Sequence, residues 1–184
     1  MKKNILPSKV IVYCGLFTAL IVVGALTRIP VPIVPFTLQL LFTTLAGMVL
    51  GPVYGSLSVV LYVLLGLMGL PVFANGGGLG YIFQPTFGYL LAFIAGTALV
   101  GHLTKDPKKR SFPRLFLAGV AGLLLVYVGG YVYYYLLATH VLGLTIVPKI
   151  LFFHAFLLPL PGDLVSCVIA SMIALRLPKF SPTG

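Results

Sequence analysis

Gly66-Leu67-Met68-Gly69-Leu70-Pro71-Val72-Phe73-Ala74-Asn75-Gly76-Gly77-Gly78-Leu79-Gly80-Tyr81-Ile82-Phe83-Gln84-Pro85-Thr86-Phe87-Gly88-Tyr89-Leu90 interrupts two long apolar runs with glycines, prolines and amides. Glycine lets the backbone take positive φ and approach another group closely, and a flexible linker has the same composition. Position separates the two readings. The stretch lies between helices of bilayer length, and non-helical backbone at membrane depth persists only where it is buried in protein or lines a cavity. The reading of a cavity lining is therefore favoured over that of a linker.

Composition sets the class. The chain is 60% hydrophobic and 8% charged, with mean hydropathy +1.14, values outside the range of water-soluble globular domains. An all-α integral membrane protein is expected, forming one domain over residues 1–184. At about 20 residues per span, six helices use roughly 120 positions and leave short connections. The first apolar run continues for a full span without a small-residue cleavage site, so it is expected to stay as the first helix.

The formal charge of +10 suggests nucleic acid at first sight, but in a membrane protein basic residues record topology. Spans are predicted at 9–28, 36–50, 53–70, 85–104, 113–137 and 154–176. Lys2, Lys3, Lys9, Lys105, Lys108, Lys109, Arg110, Arg114, Arg176 and Lys179 then fall on one side, and Arg28 and Lys149 on the other. Both termini are expected in the cytoplasm, with lipid and no nucleic acid as the surroundings. The second span is short and its Gly51-Pro52 junction tight; the alternative is a broken or tilted pair. Cys14 and Cys167 fall inside spans and read as small core residues rather than a disulfide framework.

Three irregular segments, the glycine-rich stretch, a proline flap and the break before Asp163, are expected to converge on one outward-facing pocket. Thr27 to Phe36 holds Pro30, Pro32 and Pro35, which forbid helix and favour an extended flap over the outer mouth. Gln39 is a span amide that needs a partner, either a ligand or a neighbouring helix. Tyr127, Tyr131 and Tyr135 recur at helical spacing; they read as an interfacial belt, the alternative being one or two turned inward against a ligand. Gly15 and Ala19, four apart on the first helix, permit close approach of another helix, within this chain or from another subunit. Asp163 follows a Pro159-x-Pro161-Gly162 break and is the one acid in a predicted span; an intramembrane carboxylate is costly enough to point to function.

The runs Pro35-Phe36-Thr37-Leu38-Gln39, Leu45-Ala46-Gly47 through Leu50-Gly51-Pro52, Gly69-Leu70-Pro71-Val72-Phe73-Ala74, Pro85-Thr86 with Gly88-Tyr89-Leu90, and Pro161-Gly162-Asp163 resemble the biotin-specific S component of energy-coupling-factor vitamin transporters, the BioY family. The resemblance covers roughly residues 10–177. It implies a six-helix subunit that captures biotin from outside and works with a transmembrane T subunit and two cytoplasmic ATPases. It also implies that Asn75 and Asp163 hydrogen-bond the ureido head, that Tyr89 and Gln39 shape the pocket, and that Gly15 and Ala19 dock on the coupling subunits. Two positions depart from the family pattern. Phe87 stands where a glycine is usual, and Ser166 where a lysine usually pairs with the biotin carboxylate. Arg28 is the candidate substitute, bidentate on the carboxylate with Ser166 adding a neutral bond; the alternative is an arginine snorkelling to headgroups. A related small molecule on the same fold is the alternative ligand.

No G-x-x-x-x-G-K-[ST] motif occurs, so ATP hydrolysis by P-loop chemistry must come from a partner. No catalytic residue, metal or cofactor is expected. An intramembrane enzyme would have Asp163, Ser166 and His154 to work with, and one acid gives no aspartyl dyad. A membrane assembly factor without a ligand is the third class.

Overall fold

The computed structural model describes residues 8–29, 36–143 and 148–181. Prolines 30, 32 and 35 of the expected flap, and Lys2 and Lys3 of the charge count, lie outside them. α1 runs Ser8–Leu26, and the chain on either side of the proline segment pairs as a short antiparallel ribbon. Its strands are β1, Arg28–Ile29, and β2, Phe36–Thr37, with Arg28 opposite Thr37.

α2, Gln39–Leu67, is two helical legs, 39–50 and 52–67. Gly51 at φ 82°, ψ −175° sits in backbone space open essentially to glycine, and Pro52 restarts the helix behind it. The legs fold against each other: a Cβ on Gly55 would lie 2.9 Å from the Ala46 carbonyl oxygen, nine residues back. They correspond to the second and third predicted spans and their tight junction. At 1.5 Å per residue the first leg reaches only about 18 Å, against a hydrocarbon core of about 30 Å.

α3, Phe87–Leu103, packs between α2 and α4, Phe112–Leu136, which continues through a π turn at Leu137–Val141. Missing side chains let the backbones meet. A Cβ on Gly47 would stand 2.7 Å from the Thr97 carbonyl oxygen, and Gly96 and Gly122 face one another across α3 and α4. Lipid supplies no hydrophobic drive between helices, so such close packing and interhelical hydrogen bonds hold the bundle. Thr18 Oγ1 donates to the Ser58 carbonyl (3.0 Å), Ser56 Oγ to Ile94 (3.1 Å) and Thr97 Oγ1 to Thr43 (3.2 Å). α5, Pro148–Phe152, passes through a π turn at Phe153–Leu157 into α6, Leu160–Arg176.

Among the described residues, four helical stretches, Ser8–Leu26, Gln39–Leu67, Phe112–Val141 and Phe153–Arg176, are long and apolar enough to cross a membrane, and α3 is a shorter apolar helix. The outer surface is itself apolar, with Val12 67% and Leu117 65% exposed, as lipid-facing positions require. Cys14 and Cys167 are free and buried.

Two buried clusters divide the interior. One, around Tyr62, Phe73, Tyr81, Tyr89 and Tyr127, lies at the glycine-rich end; the other, around Leu45, Met48, Val100 and Leu115, lies at the Gly51 end. At the Gly51 end the C-terminal segment is clasped. Arg110 donates to the Ala174 and Leu177 carbonyls at the end of α6 (2.8 and 3.0 Å), Lys179 Nζ to Thr104 (2.5 Å), and the Phe180 amide to Val49 (3.0 Å). Burial, with the Arg110 guanidinium nearby, pulls the Lys179 ammonium down to about 8.

Candidate ligand-binding site

The glycine-rich tract folds back on the core. Phe73 and Gly76 exchange backbone hydrogen bonds (2.9 and 3.1 Å), placing Ala74 and Asn75 at the corner of a tight turn, and Gly76 takes φ 117°. The Phe73 ring occupies the space a side chain on Gly66 would fill and meets Tyr62 edge-on at 5.4 Å and Tyr81 at 4.5 Å. Tyr81 comes from a 3-10 turn, Leu79–Phe83, and its hydroxyl accepts from Thr86 Oγ1 at 3.0 Å. The tract is thus a built wall.

The opposite wall is made by the entry to α6. Pro159 has no N–H for the Ala155 carbonyl four residues back. The Tyr89 hydroxyl donates to that oxygen instead, at 3.1 Å, while the Tyr89 ring lies over Gly130, where a Cβ would come within 2.5 Å of it. The π turn sets Phe156 against Phe152 (5.0 Å, stacked) and edge-on to Tyr127 (4.7 Å). Tyr127 then donates to Asp163 Oδ2 at 2.5 Å, with both residues buried.

Between these walls is a cavity. Gln39 and Leu40 line it from α2, Tyr89 and Phe93 from α3, Val126 and Tyr127 from α4, Pro159 and Asp163 from the α6 entry. Thr37, Ala74, Tyr81 and Thr86 come from the connecting segments. Its surface is mostly aromatic and aliphatic, with a carboxylate, an amide and hydroxyls as polar points, the usual make-up of a small-molecule site. Gln39 is 3% exposed, and its Nε2 and the neighbouring Tyr62 hydroxyl each lack a hydrogen bond of good geometry. Among the described residues no group of three or more His, Cys, Asp or Glu is placed to hold a metal.

The structure brings Asp163, Tyr89 and Gln39 together in this cavity and leaves the other sequence candidates outside its lining. Asn75 is exposed at the turn corner, where Arg28 Nη1 donates to its Oδ1 (2.5 Å) and to the Ala74 carbonyl. Ser166 is buried and donates to the Gly162 carbonyl one helical turn back (3.1 Å). Gly15 and Ala19 are exposed on α1, with nothing within 4 Å of a Cβ on Gly15. Sequence reasoning did not single out Tyr127, Tyr81 or Thr86. Tyr127 was visible only as one member of the tyrosine repeat, and it is the inward reading that describes it.

The family model described as BioY matches residues 1–183. The biotin transporter BioY of Thermotoga maritima is 45% identical over 173 residues, 92% of this chain and 95% of that protein. The biotin transporter BioY of Rhodobacter capsulatus is 35% identical over 92% of this chain and 93% of its own. Among solved structures, the S-component for biotin from an ECF-type ABC transporter superposes with TM-score 0.80 at 29% identity, covering 98% of this chain and 96% of that one.

Proposed function

The chain belongs to the BioY family, and from that premise we propose that it is the membrane-embedded biotin-binding subunit of an ECF-type uptake transporter. The family is one of transporters, which sets aside the reading as an intramembrane enzyme. The observation that carries the proposal is the Asp163 carboxylate, 7% exposed at the wall of an aromatic-lined cavity. A ureido group offers two N–H donors and a carbonyl, so the carboxylate answers a donor and the side-chain N–H of Gln39 answers the acceptor, while Asn75, exposed and bonded to Arg28 outside the lining, stands at the mouth of the cavity. The fused rings then lie against Tyr89 and Phe93.

Arg28 supplies the cation for the valerate carboxylate. Nη1 is spent on Asn75 and Ala74, which leaves the Nε–Nη2 edge of the guanidinium for a bidentate grip. Ser166, buried on α6 outside the cavity lining with its hydroxyl on the Gly162 carbonyl, makes no ligand bond in this reading. A related ligand without the carboxylate is the second reading, and the Lys-to-Ser departure at 166 is what favours it. Six membrane crossings with both termini in the cytoplasm of a prokaryotic plasma membrane are supported by the reversal at Gly51 and by the ten-to-two division of basic residues. A T subunit and two ATPases supply the energy.

Calorimetric titration with biotin is the test. The wild type binds tightly; Asp163→Ala, which removes a charge-assisted hydrogen bond, loses about 1–3 kcal/mol or more, about fivefold to over a hundredfold in affinity. Unchanged affinity in a folded Asp163→Ala protein would remove that residue from the site.

A further inference from the structure

We propose that Tyr127 is the positioning residue of the site: its hydroxyl, held on Asp163 Oδ2 at 2.5 Å, fixes the carboxylate and leaves its other oxygen to read a single N–H donor of the ligand. This rests on the biotin-binding reading and assigns a role to a residue that reading does not use. Tyr127 and Asp163 come from different helices, α4 and α6, both line the cavity, and Tyr127 is 3% exposed. Such a pair is worth most where water is excluded, because an ionised acceptor left short of partners in a dry site has nothing to replace them. The hydroxyl is itself fixed. Phe156 meets the Tyr127 ring edge-on at 4.7 Å, and Phe156 is set by the π turn at Phe153–Leu157. The turn that opens the α6 entry thereby also orients the acid. A carboxylate with one oxygen already satisfied by a donor can accept from the ligand but offers it no donor. The site selects a ligand presenting N–H at this point and rejects an isostere presenting a carbonyl or ether oxygen there.

The chain has two acidic residues, Asp106 and Asp163, so carboxyl-13C aspartate in an Asp106→Asn background leaves one labelled side-chain carboxylate for infrared spectroscopy. The position of that carboxylate band without ligand is measured in the proteins that keep Asp163, with Tyr127 and with Tyr127→Phe, and calorimetric affinity for biotin is measured in wild type, Tyr127→Phe, Asp163→Asn and the double variant. The expected results are a displaced band in Tyr127→Phe, an affinity loss of about ten- to a hundredfold, and no further loss when Tyr127→Phe is added to Asp163→Asn. An unmoved band, or equal losses in both backgrounds, overturns the proposal, since Tyr127 would then be wall rather than support. If the wild type binds no biotin, the functional reading fails, while the band still decides whether Tyr127 holds Asp163. Should Tyr127→Phe not fold, 3-fluorotyrosine at position 127 keeps the shape, and the same band must move.

Discussion

Asp163 and Arg28 stand at opposite exposures, and their chemistry differs accordingly. A buried carboxylate at membrane depth survives because Tyr127 answers one oxygen; removing its ligand-facing function costs binding without needing to unfold the bundle. Arg28 is exposed, so its attraction for a carboxylate is screened, and its contribution depends on the planar fork being oriented beforehand. The bonds to Ala74 and Asn75 provide that orientation. Arg28→Gln is expected to weaken biotin by about three- to thirtyfold while changing the uncharged biotin amide less. Equal losses for both ligands would mean that the arginine serves only to hold Asn75, and no loss for either would leave it at the headgroups.

At the scale of the element, the α6 entry shows a helix defect put to use. Pro159 leaves the Ala155 carbonyl without its helical donor, and the Tyr89 hydroxyl makes up the loss. An orphaned carbonyl in lipid has no water to turn to. Tyr89→Phe is therefore expected to lower stability by about 1–3 kcal/mol, and Pro159→Ala added to it should recover part of the loss by restoring an N–H at 159. Thermal unfolding of the purified variants checks this; a double variant no more stable than Tyr89→Phe alone would show that the tyrosine hydroxyl is not replacing the proline's missing donor. The glycine-rich element works the same way, trading side chains for close backbone approach, so that Phe73 can lie where Gly66 has none.

Across the whole molecule, topology and docking follow from what the surface presents. The proposed six crossings with cytoplasmic termini predict that a cysteine at position 108 is reached by an impermeant reagent only from the cytoplasm and one at position 77 only from outside; the reverse pattern would invert the protein. Gly15 and Ala19 are exposed on α1, and among the described residues a Cβ on Gly15 meets nothing within 4 Å. Gly15→Leu with Ala19→Leu is accordingly expected to spare biotin binding and block uptake by the assembled transporter. Uptake that survives the double change would place the coupling subunits elsewhere.

Much of this was legible without a structure. Hydropathy and spacing determined the helical class and the long apolar helices, because a backbone in hydrocarbon has few alternatives to helix. The cost of an acid in a span marked Asp163, and the unmatched amide marked Gln39. The Gly51-Pro52 reversal was readable because glycine and proline constrain their own backbone locally. Tertiary structure alone decided which tyrosine faces inward. The repeat at 127, 131 and 135 puts three identical side chains at helical spacing, and only the packing of α4 against α3 and α6 distinguishes the buried Tyr127 from Tyr135, 40% exposed. It likewise turned the Ser166 hydroxyl onto its own helix and brought Arg28 across to Asn75, 47 residues away in sequence. Composition records how much a residue gains by leaving water, but the direction in which a side chain points is set by the neighbouring helices that fill the space around it.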